Sequence, residues 1–300
     1  MSNLNLYAVT VAIWGSTWLA ITFQLGVVPP SVSVVWRFAV ASFMLLAYAI
    51  WKRLPLRFSP RDHFWMALQG LFLFGINYVF TYLSEQYLVS GLVAVMFSLI
   101  VFWNILGMRV FFGRPVNSMG LLAAMLGVVG VGLVFWPELS LFTPSGKEPL
   151  GVFFALVATA VASLGSMVAT QNQRMPVVPV NGFAMMYGAV FVAVYAALSG
   201  DRFAFDWSFP YVASLLYLAL FGSVLAFGAY LTLMKRIGAD RAGYTGVAVP
   251  IVALALSTLF EDIHWQATML LGVGLCLAGN VLMLARGRRP IRLGTNAAPP

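Results

Sequence analysis

Long apolar runs separated by short polar gaps divide the sequence into ten segments of similar length. Each run is about 20 residues long, the length that an α-helix needs to cross a ~30 Å hydrocarbon core. Strands of a membrane barrel would instead appear as alternating segments of about 10 residues. Helices are predicted, because backbone groups in lipid must find their partners within the segment. The predicted spans are residues 5–24, 31–51, 62–83, 88–111, 117–136, 150–172, 179–199, 209–234, 241–260 and 266–285.

Basic residues concentrate in every second gap between these spans. The even-numbered gaps, the span ends that border them and the C-terminal tail hold 14 of the 17 Lys and Arg residues. The odd-numbered gaps hold only Lys147 and Arg202, and Arg37 lies inside a span. Because Lys and Arg beside short loops remain in the cytoplasm, both termini are predicted to lie inside the cell.

The composition excludes a soluble globular domain. Charged residues make up 9% of the chain and hydrophobic residues 61%, whereas a soluble domain carries about 25% charge. The net charge of +8 is explained by cytoplasmic loops that face anionic lipid. Nucleic acid is not an expected partner, because no basic face interleaves with exposed aromatic residues. We expect a multi-pass protein of the bacterial inner membrane, in contact with the lipid bilayer.

Metals, cofactors and a cleaved leader are not expected either. The single Cys276 excludes an intrachain disulfide and a thiol cluster for a metal. Neither a basic n-region nor a cleavage site accompanies the first span, so we expect this span to be retained.

The sequence repeats weakly on either side of its longest gap, residues 137–149. A Leu-Phe-Gly segment at residues 73–75 recurs at residues 220–222, an offset of 147 residues. The Tyr-Leu-Ser segment at residues 82–84 recurs as Tyr-Leu-Thr at residues 230–232, an offset of 148 residues. These ordered matches indicate a duplicated unit of five spans.

An odd number of spans per unit inserts the second copy upside down, an arrangement typical of secondary transporters. The predicted fold is therefore an all-α integral membrane protein of ten transmembrane helices in two inverted five-helix repeats. The first repeat occupies residues 1–137 and the second residues 149–286. We expect residues 287–300 to form a disordered cytoplasmic tail.

Three stretches resemble the EamA family of the drug/metabolite transporter superfamily. Ala12-Ile13-Trp14-Gly15-Ser16 is similar to the family's opening signature, and Trp36-Arg37-Phe38 to its Arg-Phe element. The region 88–98 resembles its small-residue helix. The likeness covers roughly residues 8–285, and within the superfamily the chain looks most like the bacterial aromatic amino-acid exporters. The resemblance implies a transporter rather than an enzyme.

The chain departs from the family pattern at one pair of positions. Many members carry a Gly-Glu pair after the fourth and ninth spans. Here the first half has Gly113-Arg114 and the second has Phe260-Glu261. Any role of that glutamate in relatives is therefore not transferred to the first half.

Polar and aromatic residues in the middle of spans are the candidates for a substrate cavity. Trp usually favours the membrane interface, so Trp14 near mid-membrane requires either helix packing or a cavity. Polar groups on one face of the third span should point inward, because exposure to lipid is costly. Interhelical hydrogen bonding and cavity lining both remain open for them. The predicted substrate-binding residues are Trp14, Ser16, Thr17, Asn77, Tyr78, Thr81, Tyr82, Trp103, Ser163, Ser166 and Tyr230.

Two of these residues suggest a gate. The repeat makes Tyr230 the counterpart of Tyr82, which places one toward each side of the membrane. We hypothesise that the two tyrosines close opposite ends of the pathway.

Arg37 is the one clear charge inside a predicted span, about two turns from its periplasmic end. A buried arginine must pair or reach water. Glu85, at the same membrane face, is the predicted partner in a structural ion pair. The alternative is contact between Arg37 and the carboxylate of a substrate.

Carboxylates occur only near span ends in this sequence. Glu85 and Glu261 lie at such ends and are expected to be wetted, which favours facilitated exchange over proton antiport by a membrane carboxylate. The sequence contains no Walker loop, so ATP is not the predicted energy source. His63 and His264 fall on opposite faces, which excludes an intramembrane Ser–His pair.

The predicted function is a secondary transporter that exports small metabolites, with aromatic amino acids or their analogues as favoured substrates. It would work by alternating access through a midplane cavity and without ATP. A proton-coupled drug or metabolite antiporter is the alternative, and an intramembrane lipid-processing enzyme a remote one. Whether the protein is a monomer or a homodimer stays open.

Overall fold

The computed structural model describes residues 1–113, 118–136, 147–237, 242, 245–261, 263 and 265–286. These residues are helical apart from short connections, and they contain no strand. The helices are α1 (Asn3–Thr22), α2 (Pro30–Trp51), α3 (Pro60–Glu85), α4 (90–112), α5 (Ser118–Val134), α6 (Glu148–Asn172), α7 (Val177–Leu198), α8 (209–237), α9 (Thr245–Phe260) and α10 (Ala267–Arg286).

Seven helices among the described residues are long and apolar enough to cross a membrane. The three shorter apolar helices are Ser118–Val134, Thr245–Phe260 and Ala267–Leu282. Each predicted span overlaps one helix, so the all-helical membrane fold is confirmed. The predicted start of the ninth span at residue 241 and the predicted tail at residues 287–300 lie outside the described residues.

Local sequence signals fix where several helices begin. The Ser2 hydroxyl accepts a hydrogen bond from the Asn5 N–H and caps α1. Ser59 and Asp62 form a reciprocal capping box at the start of α3. Pro30 and Pro60 stand in the first turns of their helices, where a proline lacks no hydrogen bond that the helix needs.

The third helix of each half contains a π-helical segment at the repeated Leu-Phe-Gly sequence. In α3 it covers Gly70–Ile76, and in α8 it covers Leu218–Leu225. The second segment has 8 residues against 7 in the first. Single π turns interrupt the regular ladder and occur frequently at functional sites.

Helix packing follows the division into a first half (α1–α5) and a second half (α6–α10). Equivalent helices pair directly, α2 with α7 and α5 with α10. The first helix of each half also crosses to the other half: α1 packs against α8 and α9, and α6 against α3 and α4. The contact pattern is therefore retained when the two halves are exchanged.

The pairing of α5 with α10 requires small residues. A Cβ atom added to Gly130 would lie 2.6 Å from the Gly272 carbonyl oxygen. Larger residues would push the two backbones apart, as in other membrane helix pairs that approach through glycine.

Candidate functional site

Arg37 of α2 lies in the interior, with 2% of its surface exposed. Its guanidinium carbon is 4.6 Å from the ring centroid of Tyr78 and 5.4 Å from that of Phe38. Its Nη1 donates to the Tyr82 hydroxyl over 3.5 Å, and its Nε has no hydrogen-bond partner. Aromatic faces attract a cation at these distances, so the rings of α2 and α3 compensate part of the buried charge.

The predicted ion pair between Arg37 and Glu85 is not formed. Within the described part of the chain, the one salt bridge joins Arg174 to Asp62, with nitrogen and oxygen 3.5 Å apart. The face of Tyr78 and the hydroxyl of Tyr82 surround the guanidinium instead. Sequence reasoning missed this arrangement because the rings that face Arg37 depend on how α2 packs against α3.

Glu85 is buried, so the expectation that water surrounds it is wrong. It ends α3 with 6% of its surface exposed, and neither carboxylate oxygen has a hydrogen-bond partner. Glu261, just beyond α9, differs in this respect. It accepts hydrogen bonds from the Ser90 N–H (3.1 Å) and from the hydroxyls of Ser90 and Ser257.

Trp14 joins α1 to the π-helical segment of α8. Its Nε1–H donates to the Gly222 carbonyl over 3.2 Å, and its ring lies 5.1 Å from that of Phe227 and 5.2 Å from that of Tyr230. A Cβ atom added to Gly222 would lie 2.8 Å from Thr17 Cγ2. The glycine therefore permits α1 and α8 to meet beside the arginine.

Aromatic rings form a continuous group around this meeting point. Phe38 is 4.7 Å from Tyr78 and 5.3 Å from Phe74, and Phe74 is 6.4 Å from Phe227. We call these rings, together with those of Trp14 and Tyr230, the aromatic group. Phe38 and Phe74 are buried, whereas the other four rings are partly exposed. The aromatic group thus combines a closed interior with open edges.

The short polar side chains predicted for the site mostly bond to their own helices. Thr17 donates to the Trp14 carbonyl, Asn77 to that of Leu73 and Thr81 to that of Asn77. Such bonds satisfy a hydroxyl or amide locally. Ser16 contacts the carbonyls of Ala12 and Ile13 in the same way, and its Oγ also lies 2.6 Å from the Tyr217 hydroxyl of the other half.

Trp103 and Ser163 lie in a second polar cluster, between α4 and α6. The Trp103 Nε1–H donates to Thr159 Oγ1 over 3.0 Å, and the Ser163 hydroxyl donates to Asn104 Oδ1 over 2.6 Å. Ser166 is exposed and donates to the carbonyl of its own helix. The predicted residues therefore divide into one set around Arg37 and one between α4 and α6.

The family assignment follows from both halves of the chain. The model of the EamA-like transporter family matches residues 3–136 and, separately, residues 149–285. The chain belongs to this family. The resemblance noted at Trp14 and Arg37 is thereby confirmed, and the protein is a membrane transporter of the EamA type.

Similar proteins are known from bacteria and archaea. The uncharacterized inner membrane transporter YedA of Escherichia coli K12 is 24% identical over 263 residues, which cover 85% of this chain and 83% of YedA. The uncharacterized transporter YoaV of Bacillus subtilis is 23% identical over 278 residues, covering 91% and 92%. An uncharacterized transporter of Archaeoglobus fulgidus is 22% identical over 300 residues, covering 95% and 100%.

A solved crystal structure has the same fold as this EamA-like transporter. The TM-score is 0.67 at 15% sequence identity, and the match covers 96% of this chain and 99% of the other. The similarity supports the packing described above and carries no information on substrate.

The structure assigns Tyr82 and Tyr230 of this EamA-like transporter to different environments. Tyr82 is fully buried against Arg37, whereas Tyr230 is partly exposed against Trp14. Their role as a pair of gates stays a hypothesis.

Sequence reasoning missed several residues that the fold brings to the site: Phe38, Phe74, Tyr217, Gly222 and Phe227. The repeated Leu-Phe-Gly sequence was the available signal for two of them, because it contains Phe74 and Gly222. Phe38 stands in the Trp36-Arg37-Phe38 element, whereas Tyr217 and Phe227 carry no local mark that separates them from ordinary core residues.

Proposed function

We propose that this EamA-like protein is a secondary transporter that exports small metabolites across the bacterial inner membrane. Aromatic amino acids or close analogues are the favoured substrates, and transport is facilitated rather than ATP-driven. The observation that carries this proposal is Arg37, a buried cation without a carboxylate partner beneath aromatic rings. A solute with a ring and a carboxylate complements both features.

The topology in this proposal has ten transmembrane helices in two inverted repeats, with both termini in the cytoplasm. Residues 1–137 form one repeat and residues 149–286 the other. The exchange of α1 and α6 between the halves and the matched π-helical segments support it. Alternating access would then consist of rocking one repeat against the other around a midplane cavity.

The substrate's ring would pack against the partly exposed members of the aromatic group, Trp14, Tyr78, Phe227 and Tyr230. Each favourable ring pair adds about 0.5–1.5 kcal/mol beyond the burial of area. The carboxylate would bind the Arg37 guanidinium, which offers paired donors in a planar fork. Ring contacts would give affinity, and Arg37 would select acids over amines.

Proton-coupled antiport is the second candidate, and Glu85 is the observation that favours it. A carboxyl group that is buried without hydrogen-bond donors is a reasonable carrier of one exchanged proton. The lipid-processing enzyme has less support, since the family is one of transporters.

Uptake into liposomes that contain the pure protein tests the proposal. Labelled phenylalanine, leucine and an organic cation would be compared, each with and without a pH gradient. We expect phenylalanine to be taken up fastest, and an effect of the gradient would favour the antiporter. Uptake of the cation alone would contradict the proposal, as would failure of all three compounds to enter above empty liposomes.

A further inference from the structure

Two buried charged side chains near the same end of α2 and α3 lack full partners. Arg37 has a free Nε, and Glu85 has two free carboxylate oxygens. We propose that they are the two poles of a site for a zwitterion: Arg37 holds the α-carboxylate and Glu85 holds the α-ammonium group. This inference rests on the proposed function and adds the second pole and an exchanged proton.

The lack of donors around Glu85 distinguishes it from an ordinary structural carboxylate. Leaving a buried polar group unsatisfied costs about 1–3 kcal/mol, and more when the group is charged. Glu261, in the same region, shows the satisfied alternative, with Ser90 and Ser257 as donors. A side chain kept in the unsatisfied state is available for a ligand that brings its own donors.

Tyr82 connects the two poles. Its hydroxyl accepts from Arg37, and Glu85 follows it by three residues on α3, so both side chains lie on one helix face. Arg37 and Glu85 act on each other electrostatically but are not within the 4.0 Å of a salt bridge. An amino acid carries its two charges on neighbouring atoms and can contact both side chains at once.

Binding exchanges a proton. In the empty site the Glu85 carboxyl group holds a proton, because an ionised carboxylate without donors is unfavourable there. When the ammonium group arrives with its three N–H donors, the O–H bond of Glu85 breaks and the proton leaves to solvent. The new carboxylate accepts from the ammonium group, and the net charge of the site falls from about +1 to 0 because the released proton carries one charge away. Substrate and proton therefore compete for Glu85, which is the linkage that exchange transport requires.

The charged and titratable groups that act on Glu85 and Arg37 lie on α2, on α3 and just after α9, and each bears on this competition. The cation of Arg37 favours the ionised form of Glu85, whereas the anion of Glu261 opposes it. These groups are Arg37, Tyr78, Tyr82 and Glu261.

Competition in liposomes tests the second pole. Exchange of labelled phenylalanine would be inhibited by unlabelled phenylalanine, by 3-phenylpropionate, which lacks the amine, and by phenylalanine amide, which lacks the carboxylate. In the wild type we expect each analogue to bind on the order of tenfold more weakly than phenylalanine. This is the loss of affinity expected when one charge-assisted hydrogen bond is removed. Glu85→Gln should bind phenylalanine and 3-phenylpropionate equally. Glu261→Gln, the matched control, retains Glu85 and removes a charge that opposes its ionisation, so it should keep or increase the preference for phenylalanine.

Measurement of proton release is a second test, and it needs no variant. In weak buffer, binding of phenylalanine to the wild type should release about one proton per site, and 3-phenylpropionate should release none. Equal binding of the two compounds by the wild type, or an unchanged preference in folded Glu85→Gln, would overturn the zwitterion site while leaving phenylalanine transport intact. A wild type that exchanges no aromatic compound would contradict the proposed function and this inference together.

Discussion

The two halves of the chain share a scaffold but differ in charge at equivalent positions. At the offset of 147 residues that relates α2 to α7, Arg37 corresponds to Ala184, and at the offset of 148 residues that holds at Tyr82, Glu85 corresponds to Leu233. All four side chains are buried, with exposures of 2%, 0%, 6% and 0% respectively. The second half has apolar side chains at the positions where the first half has charged ones.

This difference separates what the symmetry provides from what the site requires. Packing of α2 against α7 and the two π-helical segments occur in both halves, so they belong to the scaffold. The charged residues Arg37 and Glu85 and the rings beside Arg37 occur only in the first half. We therefore assign them to solute binding. A duplicated fold can thus give a symmetric pathway an asymmetric binding site.

Moving the charge to the second half should have the largest effect. Met185, the neighbour of Ala184, is fully buried in the main apolar cluster, without the tyrosine pair that surrounds Arg37. Met185→Arg should therefore lower the free energy of unfolding by about 3 kcal/mol or more, the cost of an uncompensated buried charge. Thermal unfolding in detergent measures this loss. Met185→Leu, with nearly the same volume, should cost less than about 1.5 kcal/mol, and equal stability of the two variants would contradict the comparison.

Removing one hydroxyl from each of the equivalent tyrosines should have a smaller and unequal effect. Tyr82→Phe removes the acceptor of an Arg37 hydrogen bond that is long at 3.5 Å. We expect weaker phenylalanine transport by about fivefold, corresponding to roughly 1 kcal/mol. Tyr230→Phe keeps the ring contact with Trp14 and should change transport by less than about twofold. Concentration dependence of exchange in liposomes measures both, and equal losses would favour the gate hypothesis instead.

The smallest difference concerns Ser16 of α1 and Ser166 of α6. Both serines bond to carbonyls of their own helices, and Ser16 also bonds across the halves to Tyr217. Ser16→Ala should cost about 1 kcal/mol of stability, and Ser166→Ala less than about 0.5 kcal/mol. Thermal unfolding of the two variants separates them. A larger loss of stability in Ser166→Ala than in Ser16→Ala would contradict this ranking. It would mean that Ser166 contributes to a helix interface that the contacts above do not describe.

The sequence predicted the helices well because apolar run length reports directly on membrane spans. The start of α2 at Pro30 and of α3 at Pro60 agree with the predicted spans within two residues. The π-helical segments were not predicted, because one inserted residue leaves an apolar run apolar. The repeated Leu-Phe-Gly sequence marked their place but not their geometry.

The site was predicted in part. Tyr78 and Tyr82 meet around Arg37, and Trp14 packs nearby against Gly222 and Tyr230, since polar and aromatic groups inside a span must face protein. The partners of Arg37 and Trp103 depend on packing between distant helices, which residue spacing on one helix does not encode. The burial of Glu85 was missed for the same reason, because a position at a helix end does not reveal what covers it.

The central claim is that Arg37 binds the carboxylate of an aromatic solute. Exchange of labelled phenylalanine in liposomes, compared between the wild type, Arg37→Gln and the matched variant Met185→Gln, tests it most directly. The account predicts that folded Arg37→Gln loses exchange by on the order of tenfold or more, whereas folded Met185→Gln retains it. Exchange by Arg37→Gln at the wild-type rate would contradict the claim.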